Sequence, residues 1–149
     1  MRQQRKVGDV YQINLGDRTH CYAMALGEAT FAFFDLRTTR RVDVSHICQS
    51  PILFKVAVMR HAVTRGRWKR VGHKSLSDAE ARPPAQFIRD RLASGRYKIY
   101  EDGEIRNATR KECEGLEAAA VWDPEHVEDR LRDHYAGRPN KWVESLRLM

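Results

Sequence analysis

The sequence is short of the residues that would staple a chain, anchor it in a membrane or arm it for chemistry. Its three cysteines, Cys21, Cys48 and Cys113, are an odd number with no paired spacing, which excludes a disulfide framework and favours reduced thiols. No window approaches the ~20 apolar residues that a membrane span requires. The first ten residues, MRQQRKVGDV, are basic with no apolar stretch behind them. No signal peptide is therefore expected, and the chain is expected to work in the cytoplasm. There is no GxGxxG, no P-loop and no GxSxG elbow, so neither a phosphate cradle nor an activated serine is signalled. His20, His46, His61, His73, His126 and His134 make no i,i+4 pair and no HExxH. His20 and Cys21 are neighbours on a predicted strand and point to opposite faces. No metal, cofactor or catalytic residue is expected.

What remains is a single domain. A chain of 149 residues, 42% apolar, can bury roughly 70% of the surface its unfolded form exposes, enough for a core without staples. Its charge of +7 hides an asymmetry. Residues 1–100 hold 19 Lys and Arg against 8 Asp and Glu, whereas residues 101–134 hold 5 against 11. Residues 135–149 return to 3 against 1. A basic body thus carries an acidic segment, a feature that speaks to partners and association and not to fold.

The first two-thirds reads as strands. Residues 10–15 alternate and end at Gly16-Asp17; residues 20–26, 30–34 and 52–59 are apolar runs bounded by turn residues, with the last expected near a sheet centre. Residues 67–71, 87–88 and 97–100 continue the pattern, and Asp102-Gly103 marks a hairpin before Ile105. The period then changes. Thr109 with Glu112 has capping-box spacing, and Cys113, Leu116 and Ala120 share a helical face, predicting a helix over about 110–122. Asp123 caps a second helix over about 124–136, with Pro124 at its first turn and Gly137 and Pro139 ending it. Strands first and helices last give an α+β fold, mostly antiparallel and open or barrel-like, strand-rich over 8–108 with a tail over 138–149.

Two charged stretches are candidates for binding. RHAVTRGRWKRVGHK, residues 60–74, carries six Lys and Arg and no acid. As a hairpin it could hold phosphates with Arg65, Arg67, Lys69 and Arg70 and stack a base on Trp68. It reads equally as an edge strand whose cations deter sheet-to-sheet aggregation while Trp68 turns inward. No nucleic-acid module's motif accompanies it, which favours the second reading. In PEHVEDRLRDHYAG, residues 124–137, Val127, Leu131, His134 and Tyr135 form the stripe expected to face the sheet. Glu125, Asp129 and Asp133 stack on the other side. A solvated face with a Glu128–Arg132 pair accounts for the first turns. It leaves Asp133 unexplained, set above Asp129 and beside the negative helix end. The ridge, with Glu101, Asp102 and Glu104 at the hairpin tip as a second acidic patch, is a candidate partner surface.

Gly115-Leu116-Glu117-Ala118-Ala119-Ala120-Val121-Trp122, followed at once by the capped helix, resembles the C-terminal pattern of the immunity protein 26 family. Val7-Gly8-Asp9-Val10, residues 52–58, Gly66-Arg67-Trp68-Lys69 and residues 97–99 fit the same family, so the resemblance spans about 7–136. It implies a mostly β fold with C-terminal helices. It also implies a bacterial, non-enzymatic protein that binds and neutralises a cognate toxin domain encoded by a neighbouring gene. The family brings no binding residues with it. On the residues alone, a small nucleic-acid-binding module is the alternative.

Overall fold

The computed structural model describes residues 2–89 and 96–148. In chain order the elements are β1 (Asp9–Gly16), β2 (Thr19–Ala25), β3 (Thr30–Phe34), α1 (Val44–Gln49), β4 (Ile52–Val58), α2 (His61–Thr64), β5 (Lys69–His73) and α3 (Asp78–Ala81). There follow β6 (Gln86–Arg89), β7 (Tyr97–Glu101), β8 (Glu104–Ala108), α4 (Arg110–Cys113), β9 (Glu117–Ala118), β10 (Val121–Trp122), α5 (Pro124–Ala136) and α6 (Lys141–Ser145). Six strands form one sheet in the order β10-β4-β3-β2-β1-β5, and four form another in the order β8-β7-β6-β9. Among the described residues only the two-residue strands β10 and β9 pair in parallel. The fold is α+β and mostly antiparallel, as expected, with two open sheets in place of a barrel.

Side-chain alternation divides the larger sheet into two faces. Tyr11, Ile13, Cys21, Ala23, Phe31, Phe33, Val56 and Trp68 build the main core on one face, closed by Val127 and Leu131 of α5. Val10, Tyr22, Met24, Ala32 and Phe34 build a second layer on the other face, closed by Ile47 of α1. With both faces covered, β3 is buried at every position. The smaller sheet has its own cluster of Phe87, Ile99 and Cys113.

Several expectations need correction. The strand over 52–58 lies second from one edge, beside the short β10, and not at the centre. Residues 60–74 are no hairpin: α2 intervenes, and β5 pairs antiparallel with β1 at the sheet's other edge. The helix expected over 110–122 stops at Cys113. Its capping box is present, with Thr109 Oγ1 accepting the Glu112 amide and Glu112 Oε1 accepting the Thr109 amide. Gly115 then turns the chain at φ +82, and residues 117–118 and 121–122 add to β6 and β4 as strands. The helix preference of three alanines amounts to tenths of a kcal/mol per residue, less than the backbone pairing and the burial of Trp122 that replace it.

The β1–β5 edge leaves no room at Gly72, where a Cβ would collide with the Val44 side chain of α1. Gly72→Ala is expected to lower the urea midpoint, a loss of about 1–3 kcal/mol. Adding Val44→Ala should recover part of it; a Gly72→Ala chain as stable as the parent would contradict the packing.

Candidate partner-binding face

The helix over 124–136 forms with the predicted ends. Asp123 Oδ1 accepts the Glu125 amide at 2.8 Å, Pro124 takes the first turn, and Gly137 closes the helix at φ +69. It lies across the main core, and four polar side chains fix it there. Arg132 Nε donates to the Leu15 carbonyl at 2.8 Å. Tyr135 Oη donates to Asp35 Oδ1 at 2.9 Å. Arg130 forks onto Glu117 at 3.0 and 2.8 Å and covers the Phe54 ring at 3.6 Å. The fourth is Glu128, buried to 4% exposure.

Glu128 accepts three hydrogen bonds: from Arg67 Nε and Nη2, both at 2.8 Å, and from the Trp68 indole at 3.0 Å. A buried carboxylate is tolerable only when satisfied in this way. In return, it raises the pKa of Arg67, chiefly through that hydrogen bond. The pairing with Arg132 exists at 3.8 Å but is secondary. Sequence reasoning put Glu128 on the solvated side. The missed signal was positional: at ~100° per residue Glu128 lies about 40° past Pro124, at the margin of the buried arc that Pro124, Leu131 and Val127 set. The reverse holds for His134, placed in the buried stripe but exposed, 4.0 Å from Asp35.

The acidic ridge has internal partners. Asp133 accepts from Asn140 Nδ2 at 2.9 Å and pairs with Arg138 at 3.1 Å. Asp129 accepts from the Trp142 indole at 3.2 Å and from Arg132 at 3.1 Å. Trp142 also stacks on His126, ring centroids 3.5 Å apart. Asn140 caps α6 by accepting the Trp142 and Val143 amides. The tail therefore docks on the body: Trp142, Val143 and Leu146 pack against the main core and Leu148 against the smaller cluster. Met149, the remaining apolar residue of the tail, lies outside the described residues. Glu125 keeps a largely open side chain, 71% exposed, with Arg67 at 3.8 Å. Between ridge and tail lies a polar depression of about 400 Å³, lined by Asp129, Arg132, Asp133, Arg138, Lys141 and Trp142 among others.

The second acidic patch sits on the other sheet. Asp102 (φ +53) and Gly103 (φ +80) form the predicted tight turn. Glu101 pairs with Arg106 at 3.1 Å, and Tyr100 Oη donates to Glu28 at 2.9 Å. The basic stretch is split by the fold. Trp68 is fully buried, edge-on to Phe31 and Phe33, and offers no face on which a base could stack. Arg67 is held by Glu128, and Arg70 pairs with buried Asp9 at 3.2 Å. Arg65 and Lys69 face solvent. Among the described residues, no three His, Cys, Asp or Glu side chains gather as metal ligands, and no helix is long and apolar enough to cross a membrane.

Removing Glu128 strands an indole N–H and a guanidinium. Glu128→Ala should destabilise the fold by about 2–4 kcal/mol, since Arg67 retains some access to water. Glu128→Gln, which keeps an acceptor, should cost less, and chemical denaturation of both variants measures the difference. The thiols give a second check. Burial pushes Cys21 up to about 12 and raises Cys48 and Cys113 as well. Only Cys48 is partly accessible. At pH 8 a disulfide reagent should label Cys48 first, ~tenfold faster per pH unit below its pKa because the thiolate is the nucleophile. Cys21 and Cys113 should react only on unfolding, so equal native rates for all three would contradict their burial.

No curated protein and no solved structure matches the chain. A family model does: that of immunity protein 26, over residues 6–98. The match takes in both edges of β1, the buried β3 and the Arg67-Trp68 corner, and it ends before the stretch over 115–122. Covering well over half of the chain, it shows that this protein belongs to the immunity protein 26 family.

Proposed function

We propose that the chain neutralises a bacterial toxin domain by binding and occluding it, without chemistry of its own, and that the toxin meets the outer face of α5 and the docked tail. Family membership supplies the immunity role. The observation that favours this face is the way its charges are held. Asp129 and Asp133 are each fixed by two donors, so the acidic row is ordered before any partner arrives. An interface that is already ordered loses less side-chain entropy on association. Glu125 adds an open charge at one end of the row, and the polar depression beside Asp133 offers a concave seat for a side chain. A stable inhibitory contact buries ~1,600 Å² in total, with a few aromatic or arginine anchors dominating. Trp142, half-buried between His126 and Lys141, is placed to be one of them.

An acidic row of this kind steers a basic toxin surface, which raises the association rate more than the final affinity. The partner to test is the C-terminal domain of the protein encoded beside this chain. The nucleic-acid reading finds no comparable support, because its stacking residue, Trp68, lies in the core.

Charge reversal of Asp129 or Asp133 would also dislodge the tail, so the informative variant is isosteric. In Glu125→Gln/Asp129→Asn/Asp133→Asn every acceptor oxygen facing Trp142 and Asn140 has an amide counterpart while three charges vanish. Association with the toxin domain should slow by about tenfold at low salt, with the difference shrinking as salt rises. Growth protection on co-expression should weaken in parallel. An unchanged association rate, with protection intact, would remove α5 from the interface.

A further inference from the structure

We propose that β8 is a homodimerisation edge, through which two copies of the chain join their smaller sheets into one continuous sheet. Four strands end the two sheets, and three of them are blunted. β9 and β10 are two residues long. β5 carries the adjacent cations Lys69 and Arg70, which deter the addition of another strand. β8 is different. It is five residues long and exposed over Glu104, Ile105, Arg106 and Asn107. Ile105, at 59% exposure, is the most exposed large apolar side chain among the described residues.

The backbone of β8 is aligned for such a pairing. In a hairpin closed by the two-residue turn Asp102-Gly103, the flanking pair Glu101 and Glu104 shares the narrow hydrogen-bonded ring. The next pair, Tyr100 and Ile105, is then non-bonded. The N–H and C=O of Ile105 consequently point away from β7, and so do those of Asn107. These are free ladder positions, and they fix which registers a second strand can adopt. Antiparallel pairing with Ile105 opposite Ile105 of the second copy lets both residues exchange their free backbone bonds on a two-fold axis. The same register places Glu104 opposite Arg106 of the second copy, and Arg106 opposite its Glu104. Sliding by two residues one way sets Glu104 against Glu104; sliding the other way sets Arg106 against Arg106. Of these three registers one alone pairs unlike charges, and it joins the two isoleucines; a fourth, with Asn107 on the axis, sets Arg106 against Ala108 and pairs no charges within β8.

Within a single copy the arrangement is incomplete. Glu104 stands directly opposite Glu101, a like-charge pair. Arg106 pairs with Glu101 at 3.1 Å, whereas Glu104 has no ion-pair partner among the described residues. A second copy would supply Arg106 to it. The edge is short, so the dimer is expected to be weak and to populate at the upper end of a concentration series. This inference stands apart from the toxin-facing role of α5, which lies against the other sheet.

Sedimentation of the intact chain, from low micromolar to submillimolar concentration at low salt, is the test. The mass should rise from 17.3 kDa toward twice that value. Glu104→Arg and Arg106→Glu should each weaken self-association by about tenfold or more, because each variant puts like charges opposite each other twice per dimer. Mixed together, the two variants should form a heterodimer, since their pairs are then all unlike. Circular dichroism and the thermal midpoint report whether each variant is folded. Ile105→Asp, at an exposed position, repeats the disruption if either charge variant misfolds. A parent chain that stays at 17.3 kDa throughout, or folded variants that dimerise as the parent does, would overturn the proposal. So would a monomeric parent whose Glu104→Arg variant loses toxin binding, because the edge would then belong to the toxin.

Discussion

The carboxylate of Glu128 is the constraint on which the rest of the candidate face depends. It is buried with three donors on it, two from Arg67 and one from the Trp68 indole. Trp68 is itself edge-on to Phe31 and Phe33 in the main core. One side chain thus ties the helix to the edge of the sheet and to its aromatic centre. Because a buried ion is costly when any donor is missing, the arrangement tolerates little sliding or rotation of α5. With the helix held, Arg132 reaches the end of β1, Tyr135 reaches Asp35, and Arg130 reaches β9 on the second sheet. The outward row of Glu125, Asp129 and Asp133 follows from that placement.

The same geometry accounts for an acidic segment in a basic protein. Asp133 opposes the helix dipole, an unfavourable place for an anion taken alone. It is stabilised by Arg138 and Asn140 from the chain that has just passed the helix end. Asp129 is similarly engaged by Trp142 and Arg132. The ridge therefore has an internal use, as the dock for the tail, and the external use proposed for it rests on the charges that docking fixes while they stay in contact with water. Fixed charge and a concave polar seat are what an occluding surface needs, and they arise here from a local solution to the burial of Trp142, Val143 and Leu146.

The features legible in the sequence were those set by local chemistry. Apolar alternation marked β1, apolar runs bounded by turn residues marked β2 to β4, Asp102-Gly103 marked the β7–β8 turn, and Asp123, Pro124 and Gly137 marked both ends of α5. Thr109 and Glu112 marked a helix start correctly, yet not its length, because the pull of β6 and β4 on residues 117–122 is tertiary. Glu128 was obscured by its charge: a glutamate on a helix reads as solvated unless its partner, 61 residues away in the chain, is known. The short helix α1 over 44–49 left little periodic signal. The tail's docking was open because Trp142 fits a partner's pocket and this chain's own core equally well. In the candidate site the ridge could be read from spacing alone, whereas its engagement by Arg138, Asn140 and Trp142 required the fold.

Hydrogen exchange of the chain, alone and saturated with the proposed toxin partner, tests the central claim most directly. An occluding contact on the α5 face predicts added protection in the exposed turns around residues 138–142 and at the first turn of α5, with β5 unchanged. Protection confined to the β5 edge, or none on the α5 face in a saturated complex, would contradict it.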